Sequence, residues 1–157
     1  MLIGGKAGGF EREAAERAAL AGAIRHGRTP EDRVPACAAE GPGDWRFRNG
    51  LGCYDWWIGS FRAGPPKVPN MGDRYCLGVY RSTHHAAADF LRELTASYPS
   101  AAGPLQRGAE GFAAEAEALH ACAELLFPGW ELPQEADAAR NAQAAALLEQ
   151  ARFVVRA

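Results

Sequence analysis

The residues best placed to do chemistry lie between Gly50 and Pro99. This stretch holds two of the four Trp, all four Tyr, two of the four Cys and two of the four His. Cys76, Tyr80 and His84 recur every fourth position, which puts them on one face if the segment is a helix. Cys53 lies on a preceding segment joined by a short loop, so Cys53, Cys76 and His84 are a candidate cluster inside a helical bundle. A thiolate beside an imidazole is a nucleophile, and two thiolates with an imidazole can hold a soft metal. Two helical turns separate Cys76 from His84, about 12 Å of rise, which is too far for contact without a second helix. The competing reading is a hydrogen-bonded core histidine with thiols used as small hydrophobes.

A second group is aromatic: Tyr54, Trp57, Phe61, Tyr80, Phe90 and Phe112. Small-molecule pockets between helices are lined this way, with a few hydroxyl or imidazole groups to orient the ligand. Ordinary cores are aromatic too, but each inward Tyr or His needs a polar partner. Tyr54, Trp57, Phe61, Cys76, Tyr80 and His84 are therefore the candidate ligand-binding residues. His84 and His85 point about 100° apart on a helix, so the pair cannot grip one ion, and His85 is read as a solvated polar residue. Glu117-Ala118-Leu119-His120 matches the E-x-x-H element of di-metal bundles once. A second copy and two further inward Glu are missing, so that reading is rejected. Glu110, Glu115 and Glu117 form no paired-carboxylate site with any visible partner. No catalytic residue, metal or cofactor follows.

The elements that must carry these residues are helical. Ala-rich composition with few β-branched residues favours helix. Glu11 to His26 carries Phe10, Ala14, Ala18, Ala21 and Ile24 at helical spacing. Thr29-Pro30-Glu31-Asp32 reads as a helix start, limited by Pro35 to about one turn. Met1 to Lys6 is a short strand or a loose end. From Cys37 to Gly50 an irregular connection is expected, anchored by Trp45 and Phe47. Leu51 to Arg62 is a short helix with Leu51, Tyr54, Ile58 and Phe61 on one stripe, Cys53 and Trp57 on its flank, and Trp56 pointing away. Gly64-Pro65-Pro66 ends it. With Asp73 as cap, Tyr75 to Tyr98 follows, its stripe being Cys76, Tyr80, His84, Ala87, Leu91, Leu94 and Tyr98. A helix after Pro104 has Leu105, Phe112, Ala116, Leu119, Ala123 and Leu126 inward. A last helix, Gln134 to Val155, has Ala138, Ala142, Ala145, Leu148, Ala151 and Val155 inward. The fold class is all-α: one domain, a compact bundle of four to five helices, with residues 51–157 as its core and an irregular Pro/Gly-rich N-terminal connection.

The chain has 157 residues, 17 basic and 19 acidic, for a formal charge of −2. That balance gives no case for nucleic acid or an anionic membrane. No run of 18 apolar residues and no signal-peptide core are present. Cys37, Cys53, Cys76 and Cys122 show no C-x-x-C pair, which suits reduced thiols in a cytoplasmic protein. Trp45, Trp56 and Trp130 fall off the inner faces, so a homodimer or another protein partner is expected to cover them.

Gly50-Leu51-x-x-Tyr54-Asp55-x-Trp57-Ile58, an aromatic near Tyr75, and Ala88-Asp89-Phe90-Leu91-Arg92-Glu93-Leu94 together resemble the helical C-terminal region of bacterial proteins related to the butirosin-biosynthesis acyltransferases. Leu2-Ile3-Gly4-Gly5-Lys6 and the helix after it resemble the junction with the papain-like N-terminal part of those proteins. The likeness covers roughly residues 1 to 130 and rests mostly on packing residues. The papain-like part, with its catalytic Cys and His, has no counterpart here, so no catalytic residue carries over. The resemblance implies a free-standing accessory helical domain. Three functions stay open: binding of a small apolar or aromatic molecule without catalysis, an interaction module, and a thiol enzyme using Cys53 or Cys76 with His84.

Overall fold

A computed structural model of the chain describes residues 11–28, 31–35, 44–48 and 51–154. The order of elements is α1 (Arg12–Arg28), β1 (Glu31–Pro35), β2 (Asp44–Arg48), α2 (Leu51–Arg62), α3 (Met71–Ser97), a single 3-10 turn (Pro99–Ala101), α4 (Ala102–Leu126) and α5 (Ala138–Val154). The fold is all-α. The chain falls into two compact units, Met1–Cys53 and Tyr54–Ala157.

In the first unit α1 buries none of its residues, and Ile24 is 55% exposed. Ala-rich propensity and two i,i+4 ion pairs, Arg12–Glu16 and Glu13–Arg17, support this helix instead of an apolar face. The one-turn helix expected after Thr29 is a strand: β1 pairs antiparallel with β2, Glu31 opposite Arg48 and Pro35 opposite Asp44. Residues 44–48, expected to be irregular, alternate polar and apolar types (Asp-Trp-Arg-Phe-Arg), the two-residue period of a strand. The expectation for Met1 to Lys6 lies outside the described residues, and that for packing by Trp45 and Phe47 lies outside the described side chains.

The second unit is built on a helical hairpin. Leu91 faces Gly108 and Arg81 faces His120, so α3 and α4 run antiparallel. A Cβ on Gly108 would come within 3.0 Å of Leu91 Cδ1, so the absent side chain lets the helices approach closely. α5 packs on α4 through Ala144, Ala145, Leu148 and Ala151, all fully buried. α2 joins the same core through longer side chains, Tyr54, Ile58 and Phe61. It is also tied to α5 by the ion pairs Asp55–Arg152 and Arg62–Glu149. Small residues where helices meet closely, and aromatics where they stand apart, keep the interior filled.

Four expected details are corrected. Asn70, not Asp73, caps α3: its side chain accepts from the amides of Gly72 and Asp73, and Asp73 Oδ2 accepts from the Asn70 amide at 2.9 Å, a reciprocal capping box. Asp137 opens α5, accepting from the Arg140 and Asn141 amides, so the helix begins at Ala138 and not at Gln134. Its buried stripe is Asn141, Ala144, Ala145, Leu148 and Ala151, which leaves Ala138 and Ala142 exposed. In the first half of α3 the buried positions are Asp73 and Leu77, while Cys76 is half-buried and Tyr80 is 38% exposed. Among the described residues no helix is long and apolar enough to cross a membrane.

Candidate functional site

Two helices of the hairpin and the facing side of α2 bring a chain of rings together. Tyr54 and Trp57 lie with centroids 6.5 Å apart, Trp57 and Tyr80 6.3 Å, Tyr80 and His84 6.0 Å, and His84 and Phe112 5.5 Å. All four pairs are tilted, within the range where aromatic contacts are favourable. Trp57, Tyr80, His84 and Phe112 each keep part of their surface exposed, and Tyr54 is buried. The rings thus run from the surface into the core.

Asp73 orients the outer end. Its Oδ1 accepts from Trp57 Nε1 at 3.2 Å and from Lys67 Nζ at 2.6 Å, and its Oδ2 is held by the capping box. A carboxylate 5% exposed with three donors is fully engaged, so the Trp57 indole has one fixed direction.

At the inner end sits Glu115, 1% exposed. Tyr54 Oη donates to its Oε1 at 2.5 Å, and Oε2 stands 3.4 Å from His84 Nδ1. Neither Oε2 nor Nδ1 makes a hydrogen bond, although both atoms are buried. Burial raises the Glu115 carboxyl to about 7, against the opposing pull of the Tyr54 hydrogen bond. Burial, aided by the charge of His85, lowers His84 to about 4. Close approach of acid and base suggests an ion pair, but desolvation penalises both charges and the 3.4 Å gap recovers little. Between these two values the pair is neutral, with one proton, carried by Glu115. His84 keeps 18% of its side chain exposed, and Nδ1 but not Nε2 is buried without a partner, which leaves Nε2 as the ring nitrogen open to a ligand.

Of the six expected ligand-binding residues, Tyr54, Trp57, Tyr80 and His84 belong to this chain of rings. Phe61 does not. It lines a separate cleft of about 320 Å³ with Arg62, Pro66 and Asn141, between the end of α2 and the start of α5. Asn141 donates to the Lys67 carbonyl there, and its buried Oδ1 has no partner. Cys76 is one turn from Tyr80 and two from His84, and His84 Nδ1 stands 3.4 Å from the Glu115 carboxyl. Cys122, fully buried, is pushed up to about 12 by burial and by the charge of Asp73, the opposite of an activated thiol. Among the described residues no group of three His, Cys, Asp or Glu is placed to hold a metal ion. The lone E-x-x-H element is divided: Glu117 lies 3.9 Å from His85, and His120 meets Arg81 at 2.7 Å.

Glu115 and Phe112 complete the site, and the sequence reading leaves Glu115 without a partner. The signal was available. Positions 112, 115, 116 and 119 follow i, i+3, i+4, i+7, so Glu115 falls on the inward stripe of α4. A carboxylate on such a stripe demands partners inside.

Of the interface candidates, Trp56 is 73% and Trp130 92% exposed. Arg74 holds the turn carrying Trp130 by donating to the Gly129 and Trp130 carbonyls at 2.5 Å, with its guanidinium 4.9 Å from the Phe127 ring. Trp45 lies outside the described side chains. No family model, curated protein or solved structure matches the chain.

Proposed function

We propose that this protein binds a small aromatic molecule on the ring wall formed by Trp57, Tyr80, His84 and Phe112, and does so without catalysing a reaction. One observation carries the reading: a run of partly exposed rings ends on a buried acid–base pair whose facing atoms lack hydrogen-bond partners. Rings supply apolar contact area, and a small number of fixed polar groups supply orientation, the usual division in ligand sites. His84 Nδ1 stands beside the Glu115 carboxyl, and Cys122 is held far above the ordinary thiol range by burial, which favours binding over the thiol-enzyme alternative. We take the binder to be cytoplasmic, a reading supported by four cysteines with no C-x-x-C spacing.

The test is a titration with toluene, phenol and indole followed by amide and side-chain NMR. Shifts concentrated at Tyr80, His84 and Phe112 are expected, with at least tenfold weaker binding in Tyr80→Ala beside a lower melting temperature from the two lost ring contacts, and Tyr80→Phe, which removes only a hydroxyl, keeping the wild-type melting temperature. Millimolar probes that shift nothing on this wall would remove the reading.

A second reading, association through exposed apolar surface, is favoured by a different observation. Met71, Tyr75 and Val79 repeat every fourth residue on α3 and are 58%, 68% and 39% exposed, alongside Trp56 and Trp130. Patches of this kind on a helix commonly mark interfaces. A homodimer, or a complex with a separate catalytic chain, would cover them. Sedimentation equilibrium at micromolar concentration is expected to give twice the 16.8 kDa monomer mass or a mass raised by the partner. Conversion to monomer by Trp56→Ala with helicity intact is the matching result, and a lone 16.8 kDa species removes self-association.

A further inference from the structure

We infer that Glu115 is a positioning residue for His84: through Oε2, facing Nδ1, it sets which ring nitrogen carries the proton, and so whether the exposed Nε2 accepts a hydrogen bond from a hydroxylated aromatic or donates one to a carbonyl-bearing aromatic. The inference rests on the ligand wall proposed above and names the chemical class that wall selects.

The geometry leaves few alternatives. Glu115 Oε1 is occupied, because it accepts the Tyr54 hydroxyl proton at 2.5 Å. A proton on the carboxyl therefore resides on Oε2, whose neighbour is His84 Nδ1 at 3.4 Å. In that state the O–H is directed at Nδ1, the imidazole proton sits on Nε2, and Nε2 is a donor. When the carboxyl is ionised, Oε2 can only accept. Nδ1 then carries the proton and faces Oε2, and Nε2 presents a lone pair. Each state satisfies the two buried atoms that are otherwise unpaired. Only a neutral imidazole can change tautomer in this way, and burial keeps His84 neutral down to about pH 4.

The surrounding charges do not override this control. From α2 the facing group is Tyr54. On α3 the neighbours are His85, which sits 3.9 Å from Glu117, and Arg81, which is engaged with His120 of α4 at 2.7 Å. The core residues from α5 are alanines and Leu148, with no charge to contribute. Asp73 is spent on Trp57, Lys67 and the helix cap. Glu115 is thus the ionisable group in contact with Nδ1.

The test has two independent readouts. Long-range ¹H–¹⁵N spectra of the wild type, with His84 assigned by loss of its signals in His84→Gln, should show the Nε2–H tautomer at pH 5.5 and the Nδ1–H tautomer at pH 8.5. Glu115→Gln should abolish that step, because an amide does not titrate. In parallel, the ratio of the Kd for acetophenone to that for phenol should rise at least fivefold from pH 5.5 to 8.5 in the wild type and stay constant in Glu115→Gln. A His84 tautomer that does not change in the wild type overturns the inference, and it does so even if Glu115→Gln fails to fold. Probes that bind with a pH-independent ratio also overturn it while leaving the binding wall in place. A tautomer step with no binding of either probe upholds the positioning role and removes the ligand wall.

Discussion

Replacing His84 with Gln is expected to turn a flat dependence of stability on pH into a falling one. The carboxyl of Glu115 is raised in the folded state from 4.5 to about 7, so between these values the native protein holds a proton that the unfolded chain has released. Stability then falls as pH rises. His84 is lowered from 6.5 to about 4, so between those values the unfolded chain holds the extra proton, and stability rises with pH. In the wild type the two slopes oppose each other from pH 4.5 to 6.5. Folded and unfolded states each keep one proton on the pair, and the net slope is close to zero. A modest fall remains between about pH 6.5 and 7. With His84 gone, the Glu115 slope stands alone, about 1.4 kcal/mol per pH unit and about 3 kcal/mol over the window as an upper figure. Glu115→Gln should show the mirror image, a rise of similar size from pH 4 to 6.5. Urea midpoints at pH 4.5, 5.5, 6.5 and 7.5 for the three proteins read the slopes. A His84→Gln profile as flat as the wild type would contradict the buried neutral pair.

The second large effect is expected at Leu119, which is fully buried among residues of α4 and α5. Leu→Ala in a core removes transfer free energy and leaves a cavity whose cost depends on how far the walls relax. Here the core is rich in Ala116, Ala118, Ala144, Ala145 and Ala151. These methyl groups are fixed to helix backbone and have no rotamers with which to fill a void. The cost should sit in the upper part of the known range, about 4–5 kcal/mol. Against a total of about 5–15 kcal/mol for a typical domain, that is a large fraction. The urea midpoint should drop while the slope of the transition stays the same. A loss below about 1 kcal/mol would mean that the core has collapsed around the site.

The same alanines explain why parts of the structure were hard to read from the sequence. α2 was legible to its last residue, because aromatic and β-branched side chains contrast with their polar neighbours and Gly64-Pro65-Pro66 marks its end. In α5, Ala appears on every side, so spacing alone does not tell the buried face from the exposed one, and the inward stripe came out at Ala138 and Ala142 instead of Asn141 and Ala144. Asn141 was the distinguishing residue, but polar types are discounted as core. Glu115 was lost for that same reason, although Phe112, Ala116 and Leu119 frame it. The β-hairpin was hidden by the Gly, Pro and Ala content of the surrounding stretch, which outweighs a five-residue alternation. Four of the six expected site residues do come together, since the stripes of α2 and α3 that carry them were placed well enough to face each other.

The hairpin of α3 and α4 also bears on the order in which the second unit assembles. Its contacts join residues close in sequence: Leu91 meets Gly108 across a short turn, and the pairs further up the hairpin close progressively. α2 is linked to α4 and α5 over long stretches, 61 residues from Tyr54 to Glu115 and 97 from Asp55 to Arg152, but to α3 over a short one, 16 residues from Trp57 to Asp73. Closing a long loop is entropically costly before any contact offsets it, so local pairs are expected to form first. The α2–α3 and α3–α4 contacts are then expected ahead of the α2–α5 ion pairs. Weakening Asp55–Arg152 should leave the refolding rate nearly unchanged and accelerate unfolding. The outer rings, Trp57 and Tyr80, would thus meet early, and the inner closure of Tyr54 on Glu115 would come late and open first.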